Sequence, residues 1–594
     1  MSVLETPRIY FKGQVAWDPI TTNNYNTNYD EDSGETIYPT VINRVKAFRE
    51  QAIAQVGTAG NWNPDGTHRA TFFDSAVCGF DIGSGTSTSD PFMNAAANFN
   101  GMLVDLEPYG AYSSQLFFDS IHFGVDGGYR IFAPRTSRFT ARYINFARNS
   151  ANAMIAGVAS AVWQTSFAKA EGLRVDPFDS PALQSLASAL KSEDVLGLTV
   201  RFNAYRTIYY DDPNLTNGSP ASAAAAKELI AKLTEGGFQP NPARCLMVGV
   251  VGLWRKGEPQ HEPGDRALIQ SANSPMGSAY LRVNAASVAL DLSNSVPEVD
   301  KILTKQDLGV LSIVAVDPAS KASTTVGSFG YAQYDRNAYE ATAGIVTVPV
   351  SPGVGNLSDT DLQVVDSSGN QLLAEMPLRC IPADPNLYLD EGDQANPAFQ
   401  VYERGVPEQA SVTLNLYQMD AAGDQPTSVT PVTTDSNGVL VVPISAGAGS
   451  IMAYVPSFNA ADEPTNGINP QINTYMYVRV RPADASIAQL PPTWENVYVH
   501  VLANWNAMAP CMDNWLMLDD PVQVKAYAGV LKHLTDPANF ESFRFMPVVR
   551  DMSAGQRKLL YNFLDAETVL MASKAEAPPL HTLAQRSRAM RRMK

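Results

Sequence analysis

Residues 245–255 read CLMVGVVGLWR. Apart from the closing arginine, every position is apolar or glycine. A run this short and this continuous predicts a strand with both faces buried. The neighbouring segments repeat the theme. DVLGLTVRFN at 194–203 reads as a strand, and LRVNAASVALDLS at 281–293 as two short strands around a turn at Ala285-Ala286. PRIYFKGQVAW at 7–17 predicts an opening strand, rich in aromatic and β-branched residues. Strand-like text with Gly, Asp and Ser breaks fills 70–145. Short runs such as GIVTVPV at 344–350 and DLQVVD at 361–366 continue it. Ser367-Ser368-Gly369-Asn370 then gives a hairpin-like turn signal.

Helices interrupt this pattern. VINRVKAFREQAIAQV at 41–56 places Val41, Val45, Phe48 and Ile53 near helical spacing, after a polar stretch from Thr21 to Glu35 that reads as loop. At 180–193, Ser180 can cap a helix with Pro181 in its first turn and Leu183, Leu186 and Leu190 on one face. An Ala-rich helix from Pro220 to Glu235 ends at Gly236-Gly237. From 397 to 484, Val412, Leu414 and Leu416 alternate with polar residues, and turns recur at Ala422-Gly423 and Ser436-Asn437-Gly438. Short strands with regular turns predict a sandwich of immunoglobulin type. Beyond Pro482, Pro491 and Pro492 the text turns helical. Thr493 can cap a helix with Val497, Tyr498, Val501, Leu502 and Trp505 on its apolar face. Ser553 and Gln556 form a capping-box pattern before Leu559, Leu560, Phe563, Leu564, Leu570 and Met571. The predicted fold class is therefore mainly β with α, in several domains. A β-rich N-terminal domain with inserted helices covers 1–395, an immunoglobulin-like β-sandwich 396–484, a helical region 485–575, and a basic tail 576–594.

The 594 residues suffice for several cores, and 45% hydrophobic with 17% charged residues excludes a disordered chain. With 43 Lys+Arg against 60 Asp+Glu the net charge is −17, which argues against nucleic acid as a partner. The end, RSRAMRRMK, opposes this trend with Arg586, Arg588, Arg591, Arg592 and Lys594, and could be a frayed end or a docking peptide. Cys78, Cys245, Cys380 and Cys511 lie too far apart for a zinc knuckle or a disulfide framework and are expected to be free. The N-terminus has no secretory pattern and no run of 18 apolar residues occurs. The expectation is a cytoplasmic protein without an integral membrane segment.

The familiar catalytic motifs are missing. There is no P-loop, no strand-linked GxGxxG, no GxSxG and no HExxH. Glu258 and His261 match E-x-x-H in letters, but Pro259 and Pro263 prevent the helix that would align them. Asp30, Glu31, Asp32 and Glu35 depart from calcium-loop spacing and read as a solvated loop. Asp513, Asp519 and Asp520 read as helix-end residues. His122 reads as a satisfied sheet histidine. His500 sits on a predicted helix with Asn496 and Asn504 four residues to either side; a polar solvent-facing stripe and a haem or iron ligand are the two readings. His68, in NPDGTHRATFF, is the second candidate cofactor-binding histidine.

Taken in order, PRIYFKGQ at 7–14, DVLGLTVRFN at 194–203, MVGVVGLWRKGE at 247–258, LRVNAASVALDLS at 281–293, VYVHVLANWNAMAPCM at 497–512 and FRFMPVVRDMSAGQRKLLYNFL at 543–564 resemble one family. The chain is similar to the N-terminal half of the iminophenylpyruvate dimer synthases, the VioB-like family that includes the chromopyrrolic acid synthases. The resemblance spans about residues 7 to 570, and the block at 247–258 is its most specific part. It implies coupling of imines derived from oxidised tryptophan, with haem and iron associated. In that family a ferritin-like helical domain follows and carries the iron ligands; no helical Glu-x-x-His pair occurs here, so no catalytic residue carries over. His500 and His68 match histidines of the N-terminal half. The resemblance thus implies a partner or scaffold subunit of a split imine-coupling system, with a separate ferritin-like protein supplying iron. The alternatives are a non-catalytic β-rich structural or ligand-binding protein and a haem-binding oxidoreductase. Homo-oligomerisation is compatible with all three.

Overall fold

The computed structural model describes residues 3–17, 29–30, 35–36, 69–105, 113–135, 137–143, 161–207, 243–296, 306–330, 336–508 and 516–566. The helices expected over 41–56 and 220–235, His68 and the basic tail lie outside the described residues.

The segment 245–255 belongs to the strand Ala243–Arg255, at the centre of an antiparallel sheet that closes on itself. Around the barrel the order is Ser114–Gly124, Ala97–Asp105, Arg69–Asp81, Arg8–Trp17, Ala243–Arg255, Val195–Thr207, Ala161–Ala168 and Phe139–Tyr143. The last strand pairs back with the first, through Gln115 opposite Thr140 and Leu116 opposite Phe139. Strand alternation explains the unbroken apolar run. Met247, Val251 and Leu253 point into the barrel. Leu246, Val248 and Val250 point outward, against Ala267, Tyr280, Ala289 and Ile345 of a second β body. Both faces are buried because a neighbouring sheet covers the outer one, within antiparallel pairing.

Aromatic rings fill the barrel. Phe118 and Phe139 lie 4.8 Å apart, Phe72 meets Phe202 edge-on at 5.1 Å, and Trp163 is fully buried. The interior is a packed core, not a channel.

The second body is an eight-stranded antiparallel sheet in the order Ser323–Gly330, Val310–Val316, Asp361–Val365, Gln371–Met376, Arg266–Gln270, Ala279–Val283, Ser287–Asp291, Ile345–Pro349. It curls until its ends meet: the Ser351 amide just beyond the last strand donates to the Val326 carbonyl at 2.7 Å. The two short strands expected in 281–293 are both present, and residues 367–370 make the expected turn.

Next come two sheets packed face to face. One holds Leu378–Pro382, Ala398–Glu403, Val406–Pro407 and Val439–Val441. The other holds Asn386–Asp390, Met476–Arg481, Ser450–Ser457, Thr413–Met419 and Pro426–Thr433. Cys380, Phe399 and Val401 from the first meet Leu414, Leu416, Met476 and Val478 from the second. The protein is thus a β-rich, multi-body α+β molecule.

The C-terminal helices bury Val497, Val501, Leu502, Trp505, Leu559, Leu560 and Phe563 together. Ser553 and Gln556 form both halves of the capping box, and Ser180 caps the helix Pro181–Ala189. Fully buried Arg550 docks this region on the first barrel. Its guanidinium lies 3.4 Å over the Phe117 ring and donates to the Val548 and Ser542 carbonyls. No helix among the described residues is long and apolar enough to cross a membrane.

Candidate functional site

The strand Ala243–Arg255 ends in KGEPQHEPGDR, which carries the chain from the first barrel to the second. Pro259, Pro263, Gly257 and Gly264 keep it irregular, as expected. Its backbone is anchored by side chains instead of a ladder. Gln164 donates to the Glu262 carbonyl at 2.8 Å, Ser166 Oγ to the Gln260 carbonyl at 3.3 Å, and Arg379 to the Pro263 carbonyl at 2.7 Å.

This segment brings charge into the junction between the bodies. Buried Arg201 donates to Gln164 at 2.9 Å and to Asp291 at 2.8 Å, and lies 3.6 Å from Asp265. Glu5 receives Arg255 at 2.8 Å and Arg282 at 3.0 Å. Arg379 lies 3.6 Å from Glu262 and 5.3 Å over the Tyr280 ring. Buried charges need such partners, because desolvation of an unpaired ion costs several kcal/mol, about 3–5 when one partner is removed. Glu258 is the outlying acid. Burial first, and then the nearby Asp265 carboxylate, push its pKa up to about 9, so it is protonated at neutral pH.

His261 is buried here. Its Nε2 lies 3.1 Å from the half-buried Ser137 Oγ. Burial pulls its pKa down to about 4, so the ring is neutral. A neutral imidazole against a hydroxyl is the first half of a nucleophile–base arrangement. The second half, a group orienting the base, is missing among the described residues: Nδ1 is buried without a hydrogen-bond partner. Sequence reasoning weighed this histidine only with Glu258, and the Ser137 contact escaped it because the two stand 124 positions apart.

Beside the network lies an open cleft of about 430 Å3, between the second β body and the hairpin Glu403–Gln409 of the sandwich. Arg266, Arg282 and Arg404 line it together with Asp359, Glu403 and Glu408, while Leu281, Val283, Val406 and Pro407 supply apolar surface. Its volume lies in the range of small-molecule clefts, about 300–1,000 Å3. Arg266 is locked to Glu375, and Arg404 donates to Asp361 at 2.7 Å and to Glu403.

His500 is elsewhere. It is exposed on a π-helical turn, Tyr498–Leu502, and its carbonyl accepts from Gln556 at 3.0 Å. Among the described residues no group of three His, Cys, Asp or Glu is placed to hold a metal ion. His122 lies in the barrel strand Ser114–Gly124, edge-on to Phe132, and Asp520 caps a helix by accepting from Val522. Cys78 and Cys380 are free.

The folded chain is thus a set of β bodies around a charged junction with a ligand-sized cleft beside it. In sequence it is 26% identical over 422 residues to the 2-imino-3-(indol-3-yl)propanoate dimerase of Chromobacterium violaceum, a distant relationship to an imine-dimerising enzyme. The match covers 68% of this chain and 37% of that protein, so the chain spans well under half of its relative's length. No family model matches. Among solved structures, domains 4 and 5 of the S-layer protein SbsC show 9% identity and a TM-score of 0.12, over 36% of this chain and 98% of that one. Trypsin-activated alpha-2-macroglobulin from Escherichia coli shows 8% and 0.13, over 80% and 29%. Neither likeness carries an argument.

Proposed function

We propose that this chain is the β-rich scaffold of an imine-coupling system in indolic or aromatic natural-product biosynthesis. It holds an aromatic imine and presents it to a ferritin-like helical protein that carries the metal chemistry. The observation that carries this reading is the 422-residue match to a dimerase of 2-imino-3-(indol-3-yl)propanoate. The cleft supports it by offering space for one such molecule. The junction supports the scaffold role, because buried Arg201 of the first barrel pairs with Asp291 of the second β body.

The test supplies the imine in situ. L-Tryptophan and an L-amino-acid oxidase generate it, catalase removes the peroxide, and mass spectrometry follows coupled products. The purified chain is assayed alone and with a separate ferritin-like protein. Coupled product only with both proteins, together with their co-elution, is the expected result. Turnover by this chain alone would replace the scaffold with an autonomous enzyme. Neither product nor association would overturn the proposal.

A further inference from the structure

Twelve large apolar side chains among the described residues are well exposed, and three of them fall within nine positions: Val522, Tyr527 and Val530, at 49%, 45% and 43%. They lie on or between two consecutive helices, Pro521–Ala526 and Ala528–Thr535. The inner side of this pair buries Val524 and Leu531 in the C-terminal core. Lys525 donates to the Phe563 and Ala566 carbonyls at the end of the helix Ala554–Asp565, and Lys532 pairs with Asp565. The outer side runs Val522, Ala526, Val530 and His533, at intervals of four, four and three. All four are exposed, and a Cβ on the neighbouring Gly529 would meet nothing within 4 Å. Exposed apolar side chains scattered singly are ordinary, but a run of them along one face marks an interaction surface.

The charges around this face select its occupant. The chain carries a net charge of −17, so two copies repel over most of their surface. Residues 521–535 contain no Asp or Glu. Acids stand just ahead of them: exposed Asp519, and Asp520 as the N-cap of the first helix. Lys532 and His533 stand at the other end, in the last turn of the second. Asn539 Nδ2 donates to the His533 carbonyl at 2.8 Å and lies 3.2 Å from its Nδ1. An amide nitrogen only donates, so Nδ1 accepts and the ring keeps Nε2–H as a donor. The one charge in between, Lys525, is engaged with the carbonyls named above. A face with acid at one end, a donor at the other and an apolar middle matches itself when two copies meet antiparallel about a two-fold axis. With Ala526 on the axis, Val522 faces the second copy's Val530 and Asp519 faces its His533, and each contact occurs twice.

We propose that this face joins two copies of the chain. The helices Pro521–Ala526 and Ala528–Thr535 pack antiparallel on their counterparts, Val522 against Val530 and Ala526 against itself, and Asp519 accepts the His533 Nε2–H. The pairing is independent of the imine-coupling role.

The experiment is sedimentation velocity on the full-length protein over a concentration series. The wild type dimerises. Val530→Asp and Ala526→Glu, both at exposed positions, each raise the dimer Kd at least about tenfold, because the two-fold buries the new carboxylate twice and, at 526, sets the two opposite each other. Far-UV circular dichroism stays at the wild-type signal, which separates lost pairing from lost folding. Ala526→Cys reads the register: under mild oxidation it gives a disulfide-linked dimer, whereas Val441→Cys, at an exposed position in the sandwich, does not. A wild type that stays monomeric at every concentration, a dimer unchanged in both charged variants, or equal cross-linking at 526 and 441 would each overturn the proposal. A monomer whose association with a ferritin-like protein is abolished by Val530→Asp gives the face to that partner and equally overturns self-pairing.

Discussion

Phe11 drives its ring into the space that a side chain at position 249 would occupy. A Cβ on Gly249 would stand 2.1 Å from the ring. The glycine in VVGLW's preceding repeat, MVGVV, is therefore a packing residue in the barrel lumen. Gly249→Ala is expected to destabilise by about 1–3 kcal/mol in urea unfolding, and Phe11→Leu in that background recovers part of the loss. Glu258 and His261 set opposite pH limits. Unfolded glutamate ionises near 4.5, whereas folded Glu258 keeps its proton to about 9. The unfolded chain binds fewer protons over that interval, so stability falls as pH rises through it. Glu258→Gln, which can still accept from the Arg255 amide, flattens the slope between about pH 5 and 9 in denaturant midpoints. His261 works in the other direction. Its folded pKa of about 4 lies below the ordinary histidine value of 6.5, and the stability it contributes is lost as pH falls through that window.

At the scale of elements, the helix Ala554–Asp565 shows what local signals can do. Ser553 Oγ accepts the Gln556 amide at 3.1 Å, and Gln556 Oε1 accepts the Ser553 amide at 3.0 Å. Ser553→Ala is expected to cost about 1 kcal/mol in thermal unfolding. The same Gln556 also donates to the His500 carbonyl, tying two helices through a backbone group. The His500 side chain is exposed, so His500→Ala changes stability by no more than about 0.5 kcal/mol. Its absorption spectrum gives the separate functional reading: a Soret band present in the purified protein and absent from this variant would assign His500 a haem. The caps at Ser180 and Ser553 were legible because a cap and its helix lie within four residues. The π-helical turn at 498–502 was not, since nothing in YVHVL distinguishes i+4 from i+5 bonding.

For the whole molecule, the buried arginines between bodies matter most. Arg8 is 2% exposed and donates to Asp81 at 3.0 Å within the first barrel and to Thr347 at 2.6 Å in the second body. Arg8→Ala leaves Asp81 buried beside no cation and is expected to cost about 3–5 kcal/mol. Limited proteolysis would show it as new cleavage between residues 256 and 266. The effect should persist in 1 M salt, because buried pairs are screened far less than surface ones.

The amino-acid sequence by itself determined the elements: the strand at 245–255 with both faces buried, the paired short strands at 281–293, the turn at 367–370, the sandwich alternation and the helix caps. These are written in short-range patterns of residue type, which report what a segment must bury or cap. Only the tertiary structure decided that the first sheet closes, that a second β body covers its outer face, and that Arg282 and Arg404 meet at one cleft. Closure rests on Leu116 opposite Phe139 and on Ile9 opposite Val251, a pairing that spans 242 positions. His261 and Ser137, or Arg404 and Asp361, are likewise brought together by packing of whole bodies. Periodicity reports which face of a strand is apolar, but it carries no information about which other strand will cover it.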